Sequence, residues 1–195
     1  MIAALMAALG GYLLGSIPFG FLLGKAAGLG DIRSVGSGNI GATNVLRTGR
    51  KDIAALTLLL DGGKGVLAVL LAQRFTGEFL PLIAGISAVA GHCTTIWMGG
   101  RGGKGVATGL GAILGWAWPV GALCCLIWVA TAAATRLSSA AALAAFIAAP
   151  VLMLTFETTP EAIASLLVSA LVIFRHRGNI ERLLAGTEPR IGAGR

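Results

Sequence analysis

The chain has 195 residues, of which 56% are hydrophobic and 12% charged, with a formal net charge of +7 and a mean hydropathy of +0.86. Those proportions exclude a soluble globular domain and place the chain in a bilayer. The positive excess is of the topogenic kind, and no segment is long enough to carry a soluble nucleic-acid-binding module, so no nucleic-acid partner is expected.

Apolar stretches cover 2–23, 53–73, 79–98, 105–118, 119–135, 140–156 and 161–174, against roughly 20 residues for a spanning helix. Residues 1–23 lack the basic n-region and A-x-A-like site of a secretory leader, and Gly15-Ser16-Ile17-Pro18 interrupts the run, so a first transmembrane helix is expected there. The polar segment 24–52 contains GSGNIGATNVLRTGR. Gly36, Gly38 and Gly41 match G-x-G-x-x-G, but a dinucleotide site needs that pattern between a strand and a crossover helix, and here it follows a membrane span. What is left is Ser37, Asn39, Thr43, Asn44 and Arg47 spread among glycines, a donor set suited to a phosphate and a polyol. Helix and turn capping accounts for one or two of the five.

The second span holds Asp61 and Lys64, ionisable groups inside an apolar run, which are functional candidates by position. Three residues apart on one helix, they also suit each other as a structural pair. Lys64 belongs to GGKGV at 62–66, which recurs at 102–106. A parallel two-helix repeat and close helix packing through glycine are both open readings of the echo. His92, in the third span, is either a packing donor or a support for a nearby site.

Residues 99–109, GGRGGKGVATG, set Arg101 and Lys104 on a glycine-rich hinge between two apolar runs. Glycine admits positive φ and close backbone approach, so N–H groups can turn on an oxyanion, and a helix beginning near Val106 offers its positive dipole end. Neither GGKG copy is a Walker loop, because Gly65 or Gly105 stands where Ser or Thr would hold magnesium.

Residues 105–135 form either one long helix or two divided at Trp116-Ala117-Trp118-Pro119. Charge counting favours two. With seven spans, Lys25, Arg33, Arg47, Arg50, Lys51, Arg101, Lys104, Arg136, Arg175, Arg177, Arg182, Arg190 and Arg195 share one side, and Arg74 alone lies opposite. The positive-inside rule then puts that side and the C-terminus in the cytoplasm and the N-terminus outside. The expected architecture is all-α and polytopic, with seven transmembrane helices in a single domain over 1–195. Cys93, Cys124 and Cys125 fall inside spans without C-x-x-C spacing and read as small buried hydrophobes. In the tail FRHRGNIERLLAGTEPR, helical spacing brings His176, Asn179 and Arg182 towards one surface, whereas Arg175, Arg177 and Arg190 read as basic membrane flanks. No Ser-His-Asp or Cys-His set, paired carboxylates or metal-ligand spacing emerges, so no metal and no cofactor are expected. Direct transfer between two bound anionic substrates, driven by positioning and charge stabilisation, fits this chemistry. A transporter of phosphorylated small molecules is the rival reading, but it needs access to both faces, and nearly every polar group lies on one.

GSGNIGATNVLRTGR, the Asp61-x-x-Lys64-Gly65 element, Gly91-His92 with GGKGVATG, and RHRGNIERLLAGTEP together resemble the bacterial acyl-phosphate:glycerol-3-phosphate acyltransferase family, in its motif order over residues 15–190. The resemblance implies transfer of a fatty acyl group from acyl phosphate to the 1-hydroxyl of glycerol 3-phosphate, giving lysophosphatidic acid and inorganic phosphate. It also implies a monomeric seven-span enzyme of the bacterial inner membrane with a cytoplasm-facing site. By motif position, Ser37, Arg47, Lys104, His176 and Asn179 would be catalytic. Gly36, Gly38, Asn39, Thr43 and Asn44 would line the first substrate loop, Gly102 and Gly103 would bind phosphate through their backbone, and Ser138, Ser139 and Glu188 would complete the pocket. The chain departs from the family at CTTIWM, residues 93–98, where proline and phenylalanines are more usual, and at Arg101.

Overall fold

Proline and glycine set the first boundaries. In the computed structural model, which describes residues 1–36 and 38–192, helix α1 (Ile2–Ser16) ends where Ile17 turns extended ahead of Pro18, and α2 (Phe19–Ala26) continues the same apolar passage. A short 3-10 turn at Ile32–Ser34 follows, capped by Asp31, which accepts from the Arg33 N–H at 3.0 Å. Then come α3 (Ala42–Leu46), α4 (Lys51–Ala72) and α5 (Leu80–Cys93). After a second 3-10 turn at Ile96–Met98, the chain forms α6 (Val106–Trp116), α7 (Trp118–Thr135), α8 (Ser138–Phe156), α9 (Thr159–Arg175) and α10 (Arg177–Leu184). The described residues are thus all-α.

The helices meet through small residues, as membrane helices do when close packing replaces the hydrophobic effect as the driving force. Gly11 and Gly15 of α1 lie on the backbone of Ala84 and Ala88 of α5, so closely that a Cβ at either glycine would collide with it. On α4, Gly65 presses on the Thr108 carbonyl and Gly62 on Gly111 of α6. The pairings Gly62 with Ala107, Gly65 with Thr108 and Val69 with Gly115 advance together, so α4 and α6 run parallel. The glycines of the first GGKGV copy therefore serve helix packing, and their partner is the helix that follows the second copy. Phe146, Ile113, Met153, Val69, Val89, Val120, Val168 and Val172 fill the interior. Leu58, Leu59, Leu126, Ile147, Leu154 and Leu166 point outward, the arrangement a lipid solvent permits.

The expected seven spans are not found. Five helical stretches are long and apolar enough to cross a membrane: Ile2–Ala26, Lys51–Ala72, Leu80–Met98, Trp118–Thr135 and Ser138–Phe156. A sixth is reached if α9 and α10, bent by 61° at their junction, are taken as one. The stretch 105–118 yields α6, whose 11 residues rise about 16 Å, half of the roughly 30 Å hydrocarbon thickness. Gly105, left-handed at φ 84°, delays its start, and extended Ala117 stops it before Trp118-Pro119 opens α7. Charge counting assigns sides to loops but does not measure the helices between them.

Candidate active site

The loop from Thr94 to Gly105 is held by its own backbone. Left-handed Gly99 and Gly100 reverse the chain, and the Gly102 and Gly103 N–H groups donate to the Cys93 and His92 carbonyls at 3.2 and 2.9 Å. The carbonyls of Gly102 and Gly103 accept from Arg175 Nη2 and Nε at 3.1 and 3.2 Å. Both glycines are thus committed within the protein, whereas the sequence reading turned their N–H groups on a ligand. The N–H-rich end nearest Lys104 is the first turn of α6. Arg175, read from sequence as a membrane flank, is a brace for this loop. Its place one residue before His176, in the last turn of α9, was the available signal.

Lys104 Nζ donates to Asn179 Oδ1 at 2.6 Å, Asn179 Nδ2 donates to Glu188 Oε1 at 2.6 Å, and Arg182 Nε donates to Glu188 Oε2 at 2.7 Å. The α6 loop, α10 and the C-terminal tail are joined by this chain of charge-assisted bonds. Burial pushes the Lys104 ammonium down to about 8; Glu188 opposes that, while the charges of Arg182, Arg47 and Arg175 add to it. Burial works against the Glu188 carboxylate too, but hydrogen bonds from Asn179 and Arg182 and the charge of Arg182 outweigh it and hold its pKa below the ordinary value. Four cations thus share the field of one carboxylate. Such a cluster has positive charge to spare for an anion.

His176, 2% exposed, sits between α9 and α10. Its Nδ1 lies 2.7 Å from the Val172 carbonyl, which can only accept, so Nδ1 carries the proton and Nε2 the lone pair. Ser138 and Ser139 open α8; Ser138 Oγ lies 3.1 Å from Thr43 Oγ1, which ties the first polar segment to the same end of the molecule. Within that segment Arg47 caps α3, and left-handed Gly36 passes over Arg47 and Asn44, where a Cβ would fall 2.7 Å from Arg47 Cδ. Gly38 is left-handed as well. One of the expected donors is spent on protein, Asn44 Nδ2 giving a hydrogen bond to the Ile32 carbonyl at 2.8 Å, while Asn39 is oriented through its Oδ1, which accepts from the Ile40 N–H at 2.9 Å. Ser37 lies outside the described residues. Lys104, Asn179 and Glu188 are brought into contact, with Arg47, Ser139 and His176 around them.

A second charged group lies deeper. Lys64 Nζ donates to Asp61 Oδ1 at 2.7 Å and to the Ile17 carbonyl at 2.9 Å, with both side chains 2% exposed. His92 Nδ1 stands 3.6 Å from Asp61 Oδ1.

The model of the glycerol-3-phosphate acyltransferase family matches residues 5–186. A glycerol-3-phosphate acyltransferase of Roseobacter denitrificans is 58% identical over 93% of this chain and 91% of its own length; one from Maricaulis maris is 56% identical over 98% and 89%. The crystal structure of PlsY (YgiH), an integral membrane glycerol 3-phosphate acyltransferase in its glycerol 3-phosphate form, superposes with a TM-score of 0.91 at 38% identity, covering 97% of this chain and 96% of that one. Its lysophosphatidic acid form gives 0.88 at 35% identity, covering 97% and 95%.

Proposed function

The chain belongs to the glycerol-3-phosphate acyltransferase family, a membrane acyltransferase that moves an acyl group from acyl phosphate to glycerol 3-phosphate to form lysophosphatidic acid, and we propose that the cation cluster around Lys104 is where it does so. In this reading the 1-hydroxyl attacks the acyl carbonyl, the bond from the carbonyl carbon to the phosphate oxygen breaks, and inorganic phosphate leaves. Lys104, beside the first turn of α6, stabilises the negative charge on the departing phosphate. Arg47 and the neighbouring cations hold glycerol 3-phosphate by its own phosphate, with Gly36, Gly38, Asn39, Thr43 and Asn44 shaping the loop over it, Ser37 contributing from the same sequence segment, and His176 facing the hydroxyl end. Asn179, Ser138, Ser139 and Glu188 keep the cluster in register.

The hydroxyl proton has two destinations. His176 Nε2 carries the free lone pair in the tautomer that Val172 imposes. The leaving phosphate, with a second pKa of about 6, can also accept it. The site faces the cytoplasm in this proposal, because the cationic loops converge at its end of the molecule, and one chain supplies every group, as suits a monomer.

The observation that carries the reading is the excess of cations, Arg47, Lys104, Arg175 and Arg182 against Glu188, at the meeting point of three polar segments. Purified protein given palmitoyl phosphate and glycerol 3-phosphate should release inorganic phosphate and lysophosphatidic acid in equal amounts. Uptake of glycerol 3-phosphate into proteoliposomes without turnover would reject the proposal in favour of transport.

A further inference from the structure

Three buried ionisable groups, Asp61, Lys64 and His92, lie behind the loop that carries Lys104, and the transfer chemistry uses none of them. They are 2%, 3% and 5% exposed. Lys64 is satisfied by Asp61 and by the Ile17 carbonyl at the break before Pro18, an oxygen it shares with the Phe19 N–H, and the Phe19 ring sits 5.6 Å from its ammonium. One ion pair would settle the charge balance of α4 by itself. Yet the imidazole of α5 is set directly beside it, Nδ1 at 3.6 Å from Asp61 and without a hydrogen-bond partner.

The other edge of that ring decides its meaning. His92 Nε2 lies against Gly103 so closely that a Cβ there would land on the nitrogen. The Gly103 N–H donates to the carbonyl of the same histidine at 2.9 Å, and Gly102 donates to its neighbour Cys93. Gly103 is therefore gripped through its N–H by the His92 backbone and from the side by the His92 ring, with Arg175 holding its carbonyl. Lys104 is the next residue. A carboxylate, an imidazole and the lysine-bearing loop form one contiguous stack from the interior of α4 to the cation cluster.

We propose that His92, seated on the Asp61–Lys64 pair, is a positioning residue that fixes the height and orientation of Lys104. This rests on the reading of Lys104 as the group that meets the acyl-phosphate leaving group. The Asp61 carboxylate, 3.6 Å from Nδ1, stands at one edge of the buried ring, Gly103 closes the other, and the Nε2 edge so placed sets where Gly103 comes to rest. The closeness also explains why glycine occupies 103: any side chain would push the loop off the imidazole. A misplacement of about 1 Å at a reacting group costs up to about a hundredfold in rate, so a support acting through a single peptide unit is expected to show in kinetics.

His92→Leu and His92→Gln are the test. With His92→Leu, amide hydrogen exchange across residues 99–106 should speed up about tenfold while α4 keeps its protection, KM for palmitoyl phosphate should rise about tenfold, and KM for glycerol 3-phosphate should stay within about twofold. His92→Gln, which retains a polar group at the Asp61 side, should recover most of both effects. Unchanged exchange at 99–106 overturns the proposal whether or not the protein turns over. Equal rises in both KM values with a general loss of protection also overturn it, because that pattern belongs to a packing residue. Absent turnover by the wild-type protein, with exchange responding to His92→Leu, would reject the assigned reaction and keep the support of the loop.

Discussion

Lys64 and Lys104 occupy the same place in two copies of GGKGV, yet one is closed inside α4 on Asp61 and the Ile17 carbonyl while the other stands ahead of α6 among Arg47, Arg175 and Arg182. The residue three places earlier separates them. Asp61 gives Lys64 a carboxylate on its own helix at the i, i+3 position, and Arg101 stands at the matching place before Lys104. The backbone differs in parallel. The first copy runs through a continuous helix whose glycines admit α6, and the second reverses through left-handed Gly99, Gly100 and Gly105. In the proposed function a glycine-lysine motif becomes an anion site through what surrounds it: excess positive charge, a helix start and no carboxylate of its own three residues away.

The contrast breaks most visibly by removing each lysine. Lys104→Met should lower kcat/KM about 10²- to 10³-fold, the loss seen when one group stabilising developing charge is removed, with little change in thermal stability. Lys64→Met should do the reverse by leaving Asp61 buried and uncompensated, destabilising the fold by about 3–5 kcal/mol. Asp61→Asn with Lys64→Met should recover most of that stability, read as the melting midpoint in detergent. If Lys64→Met lost turnover as Lys104→Met does while keeping its midpoint, the two copies would share one duty and the contrast would fail.

Arg101→Asp sharpens the same point by placing a carboxylate where the first copy has one. Arg101 is exposed at the loop tip, so the effect is electrostatic: KM for acyl phosphate should rise about tenfold at low ionic strength and less as salt is added. An unchanged KM would show that the upstream residue matters to Lys64 alone.

A pH series reaches the difference without mutation. The Lys104 ammonium, held at about 8 by burial and by neighbouring guanidiniums despite Glu188, is protonated below that value and loses its charge above it. Log(kcat/KM) for acyl phosphate should be level on the acid side and fall by about one unit per pH unit above about 8. Lys104→Arg, charged throughout, should lack that limb even if its activity is lower.

Much of this was legible beforehand, in unequal measure. Apolar runs located the long helices, because lipid demands length and hydropathy together. The stretch 105–118 looks like a span in sequence because counting charges by side rewards an added crossing, while the stops at Gly105 and Ala117 depend on backbone angles. In the site, Lys104, Asn179 and Glu188 were identifiable as polar groups inside glycine-bearing motifs. The bracing role of Arg175 and the commitment of the Gly102 and Gly103 N–H groups were not, since both depend on α9 coming to rest against the loop.

The smallest expected effect concerns the tie between the first polar segment and α8. Thr43 Oγ1 and Ser138 Oγ are 3.1 Å apart and partly buried, and a neutral hydrogen bond of this kind has a net worth of about 0.5–1.5 kcal/mol. Thr43→Val and Ser138→Ala should each cost about that much, and the double variant little more than either alone, because the second substitution removes a partner already lost. The cycle is best read in KM for glycerol 3-phosphate, which the loop around Arg47 is assigned to hold. A coupling visible in stability but absent from that KM would make the bond a fastener of α3 to α8, whereas coupling in both would tie the register of the Arg47 loop to the start of α8.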